Sequence, residues 1–398
     1  MVKFQNLKHL ILKKNIYVAF LKIKNSSGEY MKLAINAGVI EKNNISGVGT
    51  FSINICKEIC KLHSDTMVWA TNHDFLNDIN INLIKSDNIF YRAFWDQFIF
   101  PKLIYGKADI VFFPVQEGIL FPKIPQVIFL HDIVALRCPK YHPLLRVLSF
   151  KTRVRTALLN SSIILVPSMS VRNEAIDYYR INYLSDKIHI VPEGYNQSHF
   201  DVANVDLGFL SQYGLSHENY FLFVGRIIPT KNIHNIIKSF KIFQKMNNNK
   251  RVKLVLAGQL MNKKYYQQLL KLIGDKDQNS NIKFINYIPH SHLPTLYNGA
   301  ISFLFPSYYE GFGLPILEAM ACGCPVITSN IYSMPEVAND AGILIDPENI
   351  DEMAKHMYSL QTDSNLRAKY IELGYENIKK FSWKKSAELI LDICKNLV

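Results

Sequence analysis

Two glutamates eight positions apart, with a glycine-rich turn between them, are the residues best placed by type and spacing to do chemistry in this chain. Glu310 closes the run Pro306-Ser307-Tyr308-Tyr309; Gly311-Phe312-Gly313-Leu314 follows, and Glu318 comes after Pro315-Ile316-Leu317. The apolar run Ala300 to Phe305 predicts a buried strand, Pro315 suits the first turn of a helix, and Gly323 stops that helix. Such a unit delivers backbone N–H groups to a helix N-terminus, where glycines let the chain approach an anion closely. Phosphate is the natural guest. Glu318 lies about one turn inside the helix, so the two carboxylates can reach opposite ends of one ligand and accept from two sets of sugar hydroxyls. Either glutamate alone reads equally well as a turn residue or a helix-stabilising acid; the combination points to chemistry.

The run from Pro306 through Glu318 to Ala319-Met320-Ala321-Cys322-Gly323-Cys324-Pro325-Val326-Ile327 resembles the signature of family-4 retaining glycosyltransferases of GT-B fold. Between Phe221 and Pro347 the segments Phe-Val-Gly-Arg, Leu-Ala-Gly, Asn-Tyr-Ile-Pro, Met-Pro-Glu-Val and Ile-Asp-Pro keep the order and spacing of that family. The resemblance implies an α/β GT-B architecture, two Rossmann-like domains whose parallel sheets face a central cleft. It also implies a nucleotide-diphosphate sugar as donor substrate, with no further cofactor.

Strand Phe221 to Val224 ends at Gly225-Arg226, and Lys231-Asn232 follows at the next helix start. An arginine fork and a compact lysine charge can together hold a diphosphate without a metal. In glycosyl transfer the diphosphate leaves with growing negative charge, and fixed cations aimed at it lower the barrier. By resemblance, Arg226 and Lys231 take the diphosphate, Glu318 the ribose, Glu310 and the amides of Gly311, Phe312, Gly313 and Leu314 the sugar, and Gly258-Gln259 with Asn286-Tyr287-Ile288-Pro289 the base. Asp275-Lys276-Asp277 superficially matches a metal-binding Asp-x-Asp, but it sits in a polar loop with no strand before it, so no metal is expected.

The elements that must position these groups alternate strand and helix twice. The first set of strand candidates is Leu33 to Ala37, Met67 to Ala70, Ile110 to Phe113, Val127 to Leu130, Ile163 to Val166 and Ile188 to Val191. The second is Phe221 to Val224, Leu254 to Leu256, Ile282 to Ile285, Ile301 to Phe305, Val326 to Thr328 and Gly342 to Ile345. Ser46-Gly47-Val48-Gly49-Thr50-Phe51 stands at a helix start; without a third glycine and a ribose-binding acid it is no dinucleotide fingerprint. It reads as a tight turn or, by resemblance, as a glycine loop facing the cleft, which puts Gly47 and Gly49 beside the donor. His131-Asp132 follows its strand directly, where open α/β sheets bind ligands. His131 alone reads as a structural hydrogen bonder; by resemblance it lies near donor sugar and acceptor. Arg137 and the basic stretch Arg146 to Arg155 read as a largely solvated face.

The expected division is a first domain over 1–200, a linker over 201–219, a nucleotide-sugar-binding domain over 220–380, and a tail over 381–398 that packs back on the first domain. At 398 residues the chain is long enough for two cores. Six scattered cysteines give neither a disulfide framework nor paired metal-ligand knuckles, which suits a reducing cytoplasm. No run of about 20 apolar residues is present, so no membrane span is expected, and Lys8, Lys13 and Lys14 break up any leader-like segment. A net charge of +12 seeks something anionic. Residues 1–29, with six lysines and no acid before Glu29, read either as an added packed element or as a face resting on the inner surface of a membrane.

The reading taken is a metal-independent hexosyltransferase, with mannose from GDP-mannose as the sugar and surface polysaccharide as the setting. His131, Glu310, Arg226 and Lys231 are the expected catalytic group. The partners are the donor and a glycan or lipid-linked acceptor, with an anionic membrane surface as a further candidate and no nucleic acid; the oligomeric state stays open. A sugar-nucleotide epimerase on the same fold, a two-carboxylate hydrolase and a non-catalytic anion-binding protein are the alternatives.

Overall fold

Short strands that are apolar along their whole length need cover on both faces, and parallel pairing with crossover helices supplies it. The computed structural model describes residues 31–38, 40, 47–63, 66–70, 82–85, 94–202, 206–247, 251–274, 281–286 and 288–398. The basic stretch 1–29, Ser46, Asp275-Lys276-Asp277 and Tyr287 therefore lie outside the described residues. Among the described residues, thirteen strands form two parallel sheets. The first holds β1 (Leu33–Asn36), β2 (Thr66–Ala70), β3 (Asn82–Lys85), β4 (Ile110–Phe113), β5 (Gln126–Phe129), β6 (Ile163–Val166) and β7 (Ile188–Ile190) in the order β3-β2-β1-β4-β5-β6-β7. The second holds β8 (Tyr220–Val224), β9 (Lys253–Ala257), β10 (Ile282–Ile285), β11 (Ser302–Phe305), β12 (Val326–Ser329) and β13 (Gly342–Ile345) in the order β10-β9-β8-β11-β12-β13.

Both orders reverse direction beside the first strand of the sheet, between β1 and β4 and between β8 and β11. Chains leaving such a point diverge to opposite faces and open a crevice beyond the carboxyl ends of the strands. In the second sheet the two strands that flank it are in register at Ser302 with Phe221 and Phe303 with Leu222. They lead directly into the two sequence segments singled out above, Gly225-Arg226 and Pro306 to Gly313.

Strand positions follow the expected segments to within a residue, with one addition. β3 pairs with β2 from Met67–Asn82 to Ala70–Lys85 and was not among the strand candidates. A second difference concerns 201–219, expected to be a linker. Helix Leu207–Gln212 forms there, Phe209, Leu210 and Leu215 are buried, and Glu218 N donates to Gly299 O at 2.7 Å. Enough apolar surface is present among the polar residues for this stretch to pack on the second sheet's side rather than hang between halves.

The terminal helix Trp383–Lys395 turns a buried face of Trp383, Ala387, Ile390, Leu391 and Cys394 towards helix Gly47–Leu62. The Trp383 ring meets Phe51 edge-on at 5.7 Å, and Ser386 Oγ donates to Pro192 O at 2.6 Å. The end of the chain is thereby fastened to the first domain.

Candidate active site

Lys231 and Glu310 come from opposite sides of the switch point between β8 and β11 and form an ion pair, each side chain 15% exposed. The two loops that carry them are stitched together below this pair. Tyr308 N donates to Thr230 O at 2.8 Å, and Asn235 Nδ2 reaches Tyr308 Oη at 3.2 Å. Lys231 also stands 5.0 Å over the Phe305 ring, a low-dielectric wall that strengthens its field.

Beyond Glu310 the chain turns through Gly313 at φ +111° into helix Leu314–Ala321, with Pro315 in the first turn. Only glycine holds that conformation without strain. The N–H groups of Gly311, Phe312, Gly313 and Leu314 have no acceptor among the described residues, whereas two carbonyls of the loop have a donor: Ser333 Oγ donates to Glu310 O and Phe312 O, each at 2.9 Å. The loop is held by these bonds, and its four N–H groups are left without a protein acceptor among the described residues. Four unspent N–H groups beside a lysine make a strongly electropositive cradle.

Gly311 has a second reason to lack a side chain. A Cβ there would lie 2.0 Å from the carbonyl oxygen of His131, so the backbones of the two domains touch at this point. Neighbouring contacts tighten the closure: Tyr309 Oη accepts from Ile133 N at 3.2 Å, and Ser168 Oγ donates to Gly311 O at 3.0 Å. Glu336 accepts from both Met169 N and Ser170 N at 2.7 Å, capping a helix of the opposite domain.

His131 itself is buried, with Nε2 2.9 Å from Pro114 O and Nδ1 3.3 Å from Glu193. Its ring faces are covered by Phe51 and Phe129, both at 4.7 Å. In this closed arrangement the side chain is committed to the chain, and what it presents to the Glu310 loop is its backbone. Arg226 is exposed and makes no hydrogen bond or ion pair among the described residues, which leaves its fork available. Glu318 hydrogen-bonds Tyr297 Oη at 3.2 Å, and burial of its carboxyl pushes the pKa up to about 7. Gly47 opens the first turn of helix Gly47–Leu62 with clear space around it, and Gly49 is buried one step inside.

The structure thus brings Lys231, Glu310 and Gly311 together with the His131 backbone. It sets Glu318 one turn deeper, leaves Arg226 at the rim, and keeps Gly47 and Gly49 on the first domain's side. Arg137 is exposed, as expected of a solvated face, and its guanidinium is paired with Glu174 at 2.6 Å. The sequence alone does not assign the residues that clamp the domains, Ser168, Tyr309 and Glu336, nor Glu193, which holds the His131 ring, and Ser333, which holds the Glu310 loop. Met-Pro-Glu-Val is visible in the sequence as a segment; only the spatial partners of Glu336 reveal what it does. Among the described residues no three His, Cys, Asp or Glu side chains are grouped to hold a metal.

The family model described as glycosyl transferases group 1 matches residues 211–377. O-antigen chain mannosyltransferase B of Escherichia coli is 33% identical over 269 residues, which is 67% of this chain and 69% of that protein. The chain belongs to the group 1 glycosyltransferases. O-antigen chain mannosyltransferase RfbU of Salmonella typhimurium is 28% identical over 226 residues, 56% of this glycosyltransferase and 57% of that protein. Among solved structures, HepE of Anabaena in complex with UDP and glucose superposes with a TM-score of 0.72 at 17% identity, covering 92% of this chain and all of that one. WaaG, a glycosyltransferase involved in lipopolysaccharide biosynthesis, gives 0.66 at 17% identity over 91% of this chain and 99% of that one. These two likenesses establish the GT-B fold for the glycosyltransferase.

Proposed function

We propose that this glycosyltransferase moves mannose from GDP-mannose, with retention of anomeric configuration, onto a glycan or lipid-linked glycan in surface polysaccharide synthesis. The observation that carries the reading is the pairing of Lys231 with Glu310 over the open N–H groups of Gly311 to Leu314, at a switch point. Arrival of a diphosphate gives Lys231 a doubly charged partner in place of one carboxylate. Glu310, released, turns to the sugar hydroxyls, while Arg226 closes on the phosphates from the rim and the open amides face the sugar. Glu318 accepts from the ribose.

As C1 of the sugar parts from the phosphate oxygen, charge builds on the diphosphate, and Lys231 and Arg226 meet it with no metal required. The acceptor hydroxyl enters on the same face, bonds to C1 and passes its proton to the departing phosphate, which preserves the configuration. The Gly311–His131 contact and the Glu336 cap hold the domains closed over this site, excluding water that would hydrolyse the donor. The mannose assignment is supported by the names of the sequence relatives. A thermal-shift panel tests it: GDP and GDP-mannose raise the melting temperature, and shifts confined to uridine ligands would overturn the sugar and base. Unchanged turnover after chelation of divalent ions checks the metal-free step.

A further inference from the structure

Residues 144–159 form a continuous helical run, with one widened turn at Phe150–Val154. Its inner face is apolar and buried through Val147, Phe150, Val154 and Leu158. Its first turn carries a second set of apolar side chains pointing outward, with Leu144 and Leu145 each 80% exposed and Leu148 52% exposed. Single exposed leucines are ordinary on protein surfaces; three within five residues on one projecting turn are a patch that something covers.

The charges around the patch say what. Between Asp132 and Glu174 the chain has no acidic residue, while Lys140, Arg146, Lys151 and Arg155 are all exposed in the same stretch. None of these four has a carboxylate partner among the described residues; Lys140 and Arg146 instead lie over the rings of Tyr141 and Phe150. An unpaired cationic rim around an apolar turn complements a surface that is negative outside and hydrocarbon within. A second copy of this face would set cation against cation.

We propose that this helix docks on an anionic lipid bilayer, Leu144, Leu145 and Leu148 entering the boundary between headgroups and acyl chains and the four cations lying on lipid phosphates. The docked turn stands close to the cleft. Tyr141, just ahead of it, lines a cavity of about 510 Å³ with Pro229, His234 and Lys238 of the second domain. Docking therefore brings the mouth between the domains near the bilayer surface. That this serves delivery of a lipid-linked acceptor rests on the proposed function; the docking itself does not.

Co-sedimentation of the full chain with phosphatidylcholine vesicles, with and without phosphatidylglycerol, tests it. The wild-type chain binds the phosphatidylglycerol vesicles, less at high salt, and the triple variant Leu144→Ser, Leu145→Ser, Leu148→Ser loses about tenfold or more in partitioning. Arg146→Glu, Lys151→Glu, Arg155→Glu removes the preference for phosphatidylglycerol. Both variants keep the wild-type melting temperature and nucleotide binding, since the altered side chains point outward. Three outcomes overturn the proposal: no wild-type binding, equal binding by the leucine variant (which moves the contact to another segment such as 1–29), or a wild-type dimer that the leucine variant splits. Membrane binding without any response to nucleotide sugars would sink the proposed function and leave the docking standing.

Discussion

Lys231 is paired with Glu310, and in the proposed function a diphosphate takes the place of that carboxylate as the stronger partner. Glu310→Gln keeps the shape of the pair and removes its attraction. It is expected to retain or tighten binding of the nucleoside diphosphate, because Lys231 no longer has to be released, while transfer falls. Lys231→Ala is expected to lower turnover about 10²–10³-fold through loss of a donor to the leaving group. The same change leaves Glu310 half-buried without its cation, at a cost of about 1–3 kcal/mol of stability after allowance for partial exposure. Calorimetric titration with GDP beside a turnover assay separates these effects; a Glu310→Gln variant that binds GDP more weakly contradicts the exchange.

Glu318 makes a pH prediction with a definite sign. Burial holds its pKa near 7, above the ordinary value of 4.5. The folded chain keeps this proton where the unfolded chain has released it, so stability from this group is full below about pH 4.5 and is lost as pH rises through about 7. Glu318→Gln abolishes that loss. Urea unfolding across this range is expected to show the variant's stability falling less steeply than that of wild type, and parallel curves would show that the carboxyl titrates normally.

At the scale of elements, the loop from Pro306 to Gly313 serves two masters. In the proposed function its N–H groups face the sugar, and Gly311 presses backbone to backbone on His131. Gly311→Ala inserts a methyl group where 2.0 Å separates it from a carbonyl oxygen, and neither side is a flexible side chain that can yield. The expected result is an opened interface: a larger radius of gyration by X-ray scattering and at least about tenfold slower transfer, with unchanged far-ultraviolet circular dichroism. An unchanged radius and rate would mean that the closed contact has no part in turnover.

The strand, the turn and the helix start at this loop were legible because Pro306, Gly313, Pro315 and Gly323 punctuate the chain by local sterics. β3 was not, because Asn82 and Lys85 bracket only two apolar residues and an edge strand needs no second buried neighbour. The clamp residues were opaque for another reason. Ser168 meets Gly311 across 143 positions and Tyr309 meets Ile133 across 176, and no local pattern encodes such pairings. Likewise nothing in the spacing around His131 tells that Pro114 and Glu193 occupy its ring nitrogens.

The whole molecule is two doubly wound sheets whose switch points open towards one another, with a terminal helix that leaves the second domain and is buried on the first. That much followed from strand periodicity and from the family's motifs. The packing of 206–219 onto the second domain did not, since Phe209, Leu210 and Leu215 are too few among polar neighbours to announce a helix. In the proposed function the donor binds chiefly on the second half, through Arg226, Lys231 and the Glu310 loop, and closure completes the site. Removing the half-site's fixed cations should therefore abolish donor binding while both cores stay folded.

Isothermal titration of the wild-type chain and of the double variant Arg226→Ala, Lys231→Ala with GDP-mannose tests the central claim most directly. The account predicts saturable one-to-one binding by the wild type and a loss of about a hundredfold or more in the variant, two charge-assisted phosphate contacts having been removed. Equal affinity for the two proteins would contradict it, since the diphosphate would then lie away from the Lys231–Glu310 crevice.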